Sequence, residues 1–282
     1  MYARFSRVLC LIVCLASGAA MAQVGFSPQY FDLGLAEAQG THAYRLFNLT
    51  KDPKQVKVSV VSWDFDEAGQ IRILPSTDTT LDQWVVVNPI EFTIPPGDSQ
   101  AVRFSIRPAV QLAPGEHRAM LIFDEVLQPQ APGEASGAGA QTALRARFQF
   151  RTAIYCQVGE ATRHADLVSV SVDATTLKLE LRATGSANVR FDGQYMVWKA
   201  AEFPGLDKLA LLGNLTEENP SLPKGMVAAG GLPGQPVLPG GNRRYELALR
   251  NRLPKGHYIA VLLGRLGDDP LSHQLAFDIA GR

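Results

Sequence analysis

Apolar and polar residues alternate along most of the chain in short runs that end at glycine, proline, asparagine or aspartate. A period of two is typical of strands with one buried face, whereas the periodicity of a helix is nearly absent. The pattern predicts strands at 55–63, 71–74, 84–87, 90–94, 101–106 and 117–123. About seven strands within about 130 residues predict an all-β, immunoglobulin-like β-sandwich. We expect the core of this sandwich to contain five apolar residues with Trp63 beside them: Phe92, Phe104, Ile106, Leu121 and Phe123.

One unit of strands and turns occurs twice. In the first half, Pro-Gly at 96–97 precedes an alternating strand, and a glycine turn at 112–117 precedes an apolar strand. In the second half, Pro-Gly at 239–240 and a glycine turn at 253–258 precede similar strands. Two copies predict two similar domains, although turns draw on few residue types and can match by chance. We expect tandem immunoglobulin-like domains at 23–158 and 159–282.

The N-terminus has the order of an export signal. Residues 1–7 contain two arginines and no acidic residue, residues 8–21 are mostly apolar, and alanines flank Met21. This order predicts a signal peptide at 1–22, with Gln23 as the mature N-terminus. A retained anchor helix is the alternative, but it needs about 20 apolar residues. We therefore expect no membrane span after cleavage.

Cleavage changes the charge and the cysteine content of the chain. Loss of Arg4 and Arg7 leaves 25 basic and 27 acidic residues, a formal charge of −2. This balance gives no electrostatic basis for binding nucleic acid. Cys10 and Cys14 leave with the signal, so Cys156 has no partner for an internal disulfide, and we expect the fold to depend on its hydrophobic core.

The sequence contains no recognisable catalytic or metal-binding motif. The five histidines show no His-x-His or His-x3-His spacing. Ser62 and Ser105 lie in no nucleophile motif. We therefore expect no enzyme, no metal and no cofactor.

Several phrases in the first half resemble those of one protein family. They are FSP at 26–28, VVSW at 60–63, NPIEFTIPPG at 88–97, QAVR at 100–103 and PGEHR at 114–118. In this order they resemble the periplasmic chaperones that escort pilus (fimbrial) subunits in the chaperone–usher pathway, and the second half matches more loosely. The resemblance implies a boomerang of two immunoglobulin-like domains in the periplasm. Such a protein binds pilus subunits in its cleft, lends them a missing strand and delivers them to an outer-membrane usher.

A candidate for the lent strand follows a segment rich in Pro, Gly, Ala, Ser and Gln. That segment, at 128–141, predicts a flexible loop. In the next segment, 142–156, four apolar side chains share one face with Ile154: Leu144, Ala146, Phe148 and Phe150. An edge strand of this kind can complete a partner's sheet, so we expect these four residues to bind the subunit. The alternative is an ordinary last strand whose phenylalanines lie in its own core.

The resemblance also implies two basic residues that hold the subunit's terminal carboxylate. The first-strand stretch at 27–31 contains no basic residue, and 154–158 lacks the family's Tyr-Arg-Pro ending. Arg151 is the nearest candidate on the donor strand, because its guanidinium can bind a carboxylate through two parallel hydrogen bonds.

Two other functions remain open. A structural component of a pilus or surface fibre could use the same sandwiches and would self-associate. A carbohydrate-binding module would expose aromatic side chains on one face, for which Tyr195 and Trp198 are candidates.

The signal assignment makes the first prediction. Protein purified from the exporting cell should begin at Gln23, because Ala20 and Ala22 are the small residues that signal peptidase requires. Intact-mass measurement checks the N-terminus. A matched variant with Ala20→Leu and Ala22→Leu should accumulate uncleaved. Purified wild-type protein that retains Met1 would contradict export through this signal.

Overall fold

The computed structural model describes residues 24–66, 69–127, 147–213, 215 and 221–280. The predicted signal peptide at 1–22, the predicted loop at 128–141, Leu144 and Ala146 lie outside the described residues. No helix among the described residues is long and apolar enough to cross a membrane.

The described residues form seventeen strands, one short α-helix and three 3-10 turns. The strands of the first half are β1 (Val24–Ser27), β2 (Tyr30–Gly34), β3 (His42–Asn48), β4 (Lys54–Phe65), β5 (Ile71–Leu74), β6 (Val85–Asn88), β7 (Glu91–Ile94), β8 (Ser99–Ile106), β9 (Gly115–Glu125) and β10 (Gln149–Val158). Those of the second half are β11 (Ala165–Val172), β12 (Thr176–Ala183), β13 (Phe191–Lys199), β14 (Met226–Gly231), β15 (Asn242–Ala248), β16 (Gly256–Leu266) and β17 (Asp269–Ile279). The helix α1 spans Leu35–Ala38, and the 3-10 turns span Leu81–Trp84, Ala200–Glu202 and Leu206–Lys208.

The first ten strands build a sandwich of two sheets. One sheet has the order β1-β3-β8-β6, and the other has the order β2-β10-β9-β4-β5, with β7 also paired to β4. Between them lies a core in which four of the five predicted members are buried: Phe104, Ile106, Leu121 and Phe123. The fifth, Phe92, is half-buried against the same core.

The remaining strands build the second sandwich. Its sheets have the orders β11-β12-β15 and β14-β13-β16-β17. Leu177, Leu179 and Leu181 alternate along β12 and point into the core between the two sheets. The all-β, two-sandwich fold expected from the alternation is therefore confirmed.

The prediction that Trp63 lies beside the first core is wrong. Along β4, Val56 and Val58 face that core, whereas Val61 and Trp63 face the opposite side of the sheet. Trp63 is 3% exposed there, in a separate cluster that includes Leu238 from the second sandwich. The apolar residues on both faces of β4 reflect burial on two sides.

The two copies of the repeated unit share a hydrogen-bonded corner. In the first, the Nε2 atom of His117 lies 2.8 Å from the carbonyl oxygen of Ala113. In the second, the hydroxyl of Tyr258 donates to the carbonyl oxygen of Pro254 at 3.0 Å. Both side chains reach back four residues at the start of a strand, as in the tyrosine corner of immunoglobulin-like domains. The repeat in the sequence therefore corresponds to a repeat in the structure.

The core assignment makes the second prediction. Phe104→Ala should lower the free energy of unfolding by about 3–5 kcal/mol, because the side chain is 2% exposed and its loss leaves a cavity. The matched control is Phe47→Ala, since Phe47 is 36% exposed and should cost less than about 1 kcal/mol. Denaturant unfolding measures both. Equal stabilities of the two variants would contradict the core position of Phe104.

Candidate functional site

A cleft of about 800 Å³ lies between the two sandwiches. Its floor is the outer face of the β10-β9-β4 sheet, where Ala153, Met120 and Val61 lie side by side on adjacent strands. Tyr155, Trp63 and Phe65 extend this apolar floor, and Pro236 contributes from the second sandwich. The cleft therefore combines an apolar floor with a rim that carries both polar and charged side chains.

A fully buried carboxylate, that of Glu116, joins the two sandwiches. The Oε2 atom of Glu116 accepts hydrogen bonds from the backbone N–H of Asn188 at 2.6 Å and from its Nδ2 at 2.8 Å. Its Oε1 atom accepts from the Nη1 of Arg118 at 3.3 Å, and the side chain is 0% exposed. Hydrogen bonds to an ionised group are stronger than neutral ones, so this contact holds the two domains firmly.

Asp32 provides a second link across the junction. Its Oδ1 atom accepts from the Nη2 of Arg163 at 2.8 Å, in the stretch that joins the sandwiches. Its Oδ2 atom accepts from the Nδ2 of Asn188 at 3.2 Å. The Nε2 of Gln157, at the end of β10, donates to Glu116 at 3.1 Å. The end of β10 is thereby tied to the same network as the second domain.

The aromatic wall of the cleft carries an arginine from the second domain. The guanidinium carbon of Arg190 lies 4.1 Å from the ring centroid of Tyr30 and 5.3 Å from that of Tyr155. Burial raises the pKa of Tyr155 to about 12, and this effect outweighs the lowering by Arg190. Tyr155 is therefore neutral at physiological pH and presents a ring face to the cation.

Phe148 and Phe150 are half-buried at the margin of the first core. Their rings lie 5.0 Å apart, and Phe150 also contacts Phe26 of β1 at 4.8 Å. They form the described part of the predicted subunit-binding row, since Leu144 and Ala146 lie outside the described residues. Among the described residues from 147 onward, the strand spans Gln149–Val158, and the predicted part at 142–146 lies outside the described residues.

The two edges of β10 differ along its length. On one side β9 pairs with the whole strand, from Gln149 to Val158. On the other side β2 pairs in parallel with Ala153–Gln157 alone. Among the described residues, no strand pairs with 149–152 on that side, where the Thr152 hydroxyl bonds to the carbonyl of Gln29 at 2.7 Å. Within the described part of the chain, 149–152, which we call the upper part of β10, therefore has an open sheet edge.

Arg151 projects from this open stretch into the cleft. Its side chain is exposed, and its Nε donates to the Oε1 of Gln149 at 2.8 Å. It lies on the face of β10 opposite Phe148 and Phe150, as the alternation predicts. The predicted apolar row and the predicted carboxylate anchor therefore face different sides of one strand.

Three other residues considered from the sequence, Cys156, Tyr195 and Trp198, are buried. Cys156 is buried in the first core, and burial raises the pKa of its thiol to about 11, as expected of a small apolar strand residue. Tyr195 and Trp198 are each 5% exposed, so they form no exposed aromatic face for a carbohydrate. The described residues contain no group of three or more potential metal ligands.

Three important residues of the site escaped prediction from the sequence: Glu116, Asn188 and Arg190. Each lies in or beside a turn, where polar residues usually face solvent. Glu116 and Asn188 are 72 residues apart, and Arg190 contacts Tyr30 and Tyr155, so no local pattern in the sequence reveals these contacts.

Three solved structures to which the chain is similar contain fimbrial chaperones. The class 5 fimbriae chaperone CfaA is 13% identical, with a TM-score of 0.45, and the match covers 92% of this chain and 100% of that chain. The chaperone–tip adhesion subunit complex CsuC–CsuE of Acinetobacter baumannii is 12% identical, with a TM-score of 0.45, and the match covers 92% of this chain and 100% of that chain. The Salmonella enterica SafA pilin in complex with the SafB chaperone is 11% identical, with a TM-score of 0.44, and the match covers 91% of this chain and 96% of that chain.

No protein-family model and no curated protein matches the sequence. The chain resembles fimbrial chaperones over both sandwiches.

Proposed function

We propose that the protein is a periplasmic chaperone for pilus subunits. It binds a subunit at the cleft, donates the edge of β10 to the subunit's sheet and delivers it to an outer-membrane usher. The observation that carries the proposal is the open edge of β10 at 149–152, directly beside an apolar cleft. The proposal assigns no catalytic step to the chain.

An open edge exposes backbone N–H and C=O groups that a partner strand can satisfy. The edge of β10 is open where the strand enters from the segment at 128–146 and closed by β2 where it meets the second domain. A partner strand can therefore add along the upper part without displacing β2. Antiparallel or parallel addition would both supply hydrogen bonds that are independent of the partner's sequence.

Phe148 and Phe150 supply the side chains for this contact. Their half-buried position differs from that of Ile154, which lies on the same face and is 0% exposed. The backbone N–H of Phe148 donates to the carboxylate of Glu125 at 3.1 Å, and its carbonyl oxygen accepts from the backbone N–H of Glu125 at 3.2 Å. β9 therefore holds this end of the strand along one edge, and a subunit can add along the other edge without displacing β9.

Arg151 gives the cleft a cation for the subunit's terminal carboxylate. Its guanidinium is exposed and has a neutral partner, Gln149, so it is available for two parallel hydrogen bonds to a carboxylate. Arg151 lies on the cleft side of β10. The terminal carboxylate of the subunit would therefore enter the cleft, while a strand of the subunit pairs along the open edge of β10.

The third prediction tests donation. The double variant Phe148→Asp, Phe150→Asp should lose the subunit that co-purifies with the wild-type protein at equal stoichiometry, because two carboxylates would face an apolar groove. Mass spectrometry of affinity-purified periplasmic complexes measures the loss. The variant should remain folded by thermal unfolding, since both side chains are only half-buried.

Phe47→Asp is the matched control, because Phe47 is also partly exposed but lies on β3 in the other sheet. It should keep the subunit. Unfolding of the double variant would assign the two phenylalanines to the protein's own core and contradict donation. A folded double variant that still carries its subunit would place recognition elsewhere, and wild-type fibres without a subunit would favour a structural component.

A further inference from the structure

Arg190 keeps an unused hydrogen-bond donor in the cleft. Its Nη1 donates to the carbonyl oxygen of Gly234 at 2.7 Å. Its Nε atom is buried and has no hydrogen-bond partner among the described residues. A buried donor without a partner costs free energy, so a ligand that accepted this hydrogen bond would gain more than an exposed contact provides.

The charge around Arg190 favours an anion. Arg190 and Arg151 both line the cleft, and neither is paired with a carboxylate in the part of the chain that the structure describes. Asp192 lies on the same wall but forms no ion pair with either arginine there. Stacking on Tyr30 holds the guanidinium plane of Arg190 while leaving its edge free for hydrogen bonds. Two guanidinium groups without a counter-ion, that of Arg190 partly buried and that of Arg151 exposed, suit a carboxylate.

The position of Arg190 depends on the contact between the domains. Asn188, two residues earlier, is fixed to Glu116 by its backbone and its side chain. Val189 is paired with Val237. The chain therefore reaches Arg190 from an anchored position, and the aromatic rings that Arg190 contacts belong to the first domain.

We propose that Arg190 is a second carboxylate-binding residue of the cleft, supplied by the second domain, and that Glu116 and Asn188 are its positioning residues. The inference rests on the proposed function, because the ligand is the terminal carboxylate of a bound subunit. It adds that half of the anchoring charge lies on the second domain. Carboxylate binding then requires the two domains to be docked as they are in this structure.

The test uses the full mature chain and a defined probe. The probe is a fluorescent peptide of about ten residues, the length of a long strand, with alternating valine and serine. One form ends in a free carboxylate and the other in an amide. Fluorescence anisotropy gives the affinity of each form, and the ratio of the two affinities isolates the contribution of the carboxylate.

The wild-type protein should prefer the free acid. Arg190→Ala should reduce this preference, measured as the ratio of the two affinities, about tenfold, which is typical of losing a hydrogen bond to a charged group. Arg190→Lys should restore part of it, because lysine keeps the charge but loses the planar fork. Asn188→Ala should weaken binding of the acid while both arginines remain. Arg182→Ala is the control, because Arg182 pairs with Asp166 in an exposed position on β12.

Each result bears on a different claim. An unchanged preference in folded Arg190→Ala protein would overturn the proposal and leave Arg190 a packing residue. The same result in Arg151→Ala would instead remove the anchor assigned to β10. A wild-type protein that binds both peptides equally, or neither, would overturn both carboxylate contacts, while strand donation is judged separately by the Phe148 and Phe150 variant. Loss of acid preference in Arg182→Ala would show a non-specific charge effect and also overturn the proposal.

Discussion

The buried contact between Glu116 and Asn188 is the constraint on which the cleft depends. A carboxylate removed from water costs several kcal/mol unless hydrogen bonds compensate for the lost hydration. Two of those bonds come from Asn188 of the second domain, one of them from its backbone. Rotation of the domains would break both bonds and leave Glu116 with fewer donors. The relative position of the sandwiches is therefore fixed by the cost of exposing or isolating one charge.

Apolar contacts act at the same junction but have a different effect. Trp63 and Tyr155 lie on the outer face of the first sandwich and would be an exposed patch if that domain stood alone. Leu238 of the second domain covers them. Hydrophobic contact is not directional, so it brings the two domains together without setting the angle between them. The directional hydrogen bonds of Glu116 set the angle between the domains. The part of the same sheet face that the second domain leaves uncovered forms the floor of the cleft.

Strand positions could be predicted from the sequence because alternation is a local property. The segment 71–74 coincides with β5, and the predicted 55–63 lies within β4. The side of β4 to which Trp63 belongs could not be predicted, because a period of two identifies two faces but not which of them a second domain covers. The position of Arg190 could not be predicted either, because it depends on rings at positions 30 and 155, which are far away in the sequence.

The two faces of β10 are compatible with one strand serving both the fold and the proposed binding of a subunit. Toward the junction, Ile154 and Tyr155 are buried on opposite faces, and β2 closes the edge, so this part belongs to the fold. Toward Gln149 the edge is open, the phenylalanines are half-buried and Arg151 is exposed. Because stability comes from the lower part, the upper part can exchange its contacts at a small cost in folding free energy. The donor role proposed for β10 needs one fixed end, and the hydrogen bond between Gln157 and Glu116 fixes the end of the strand at the junction.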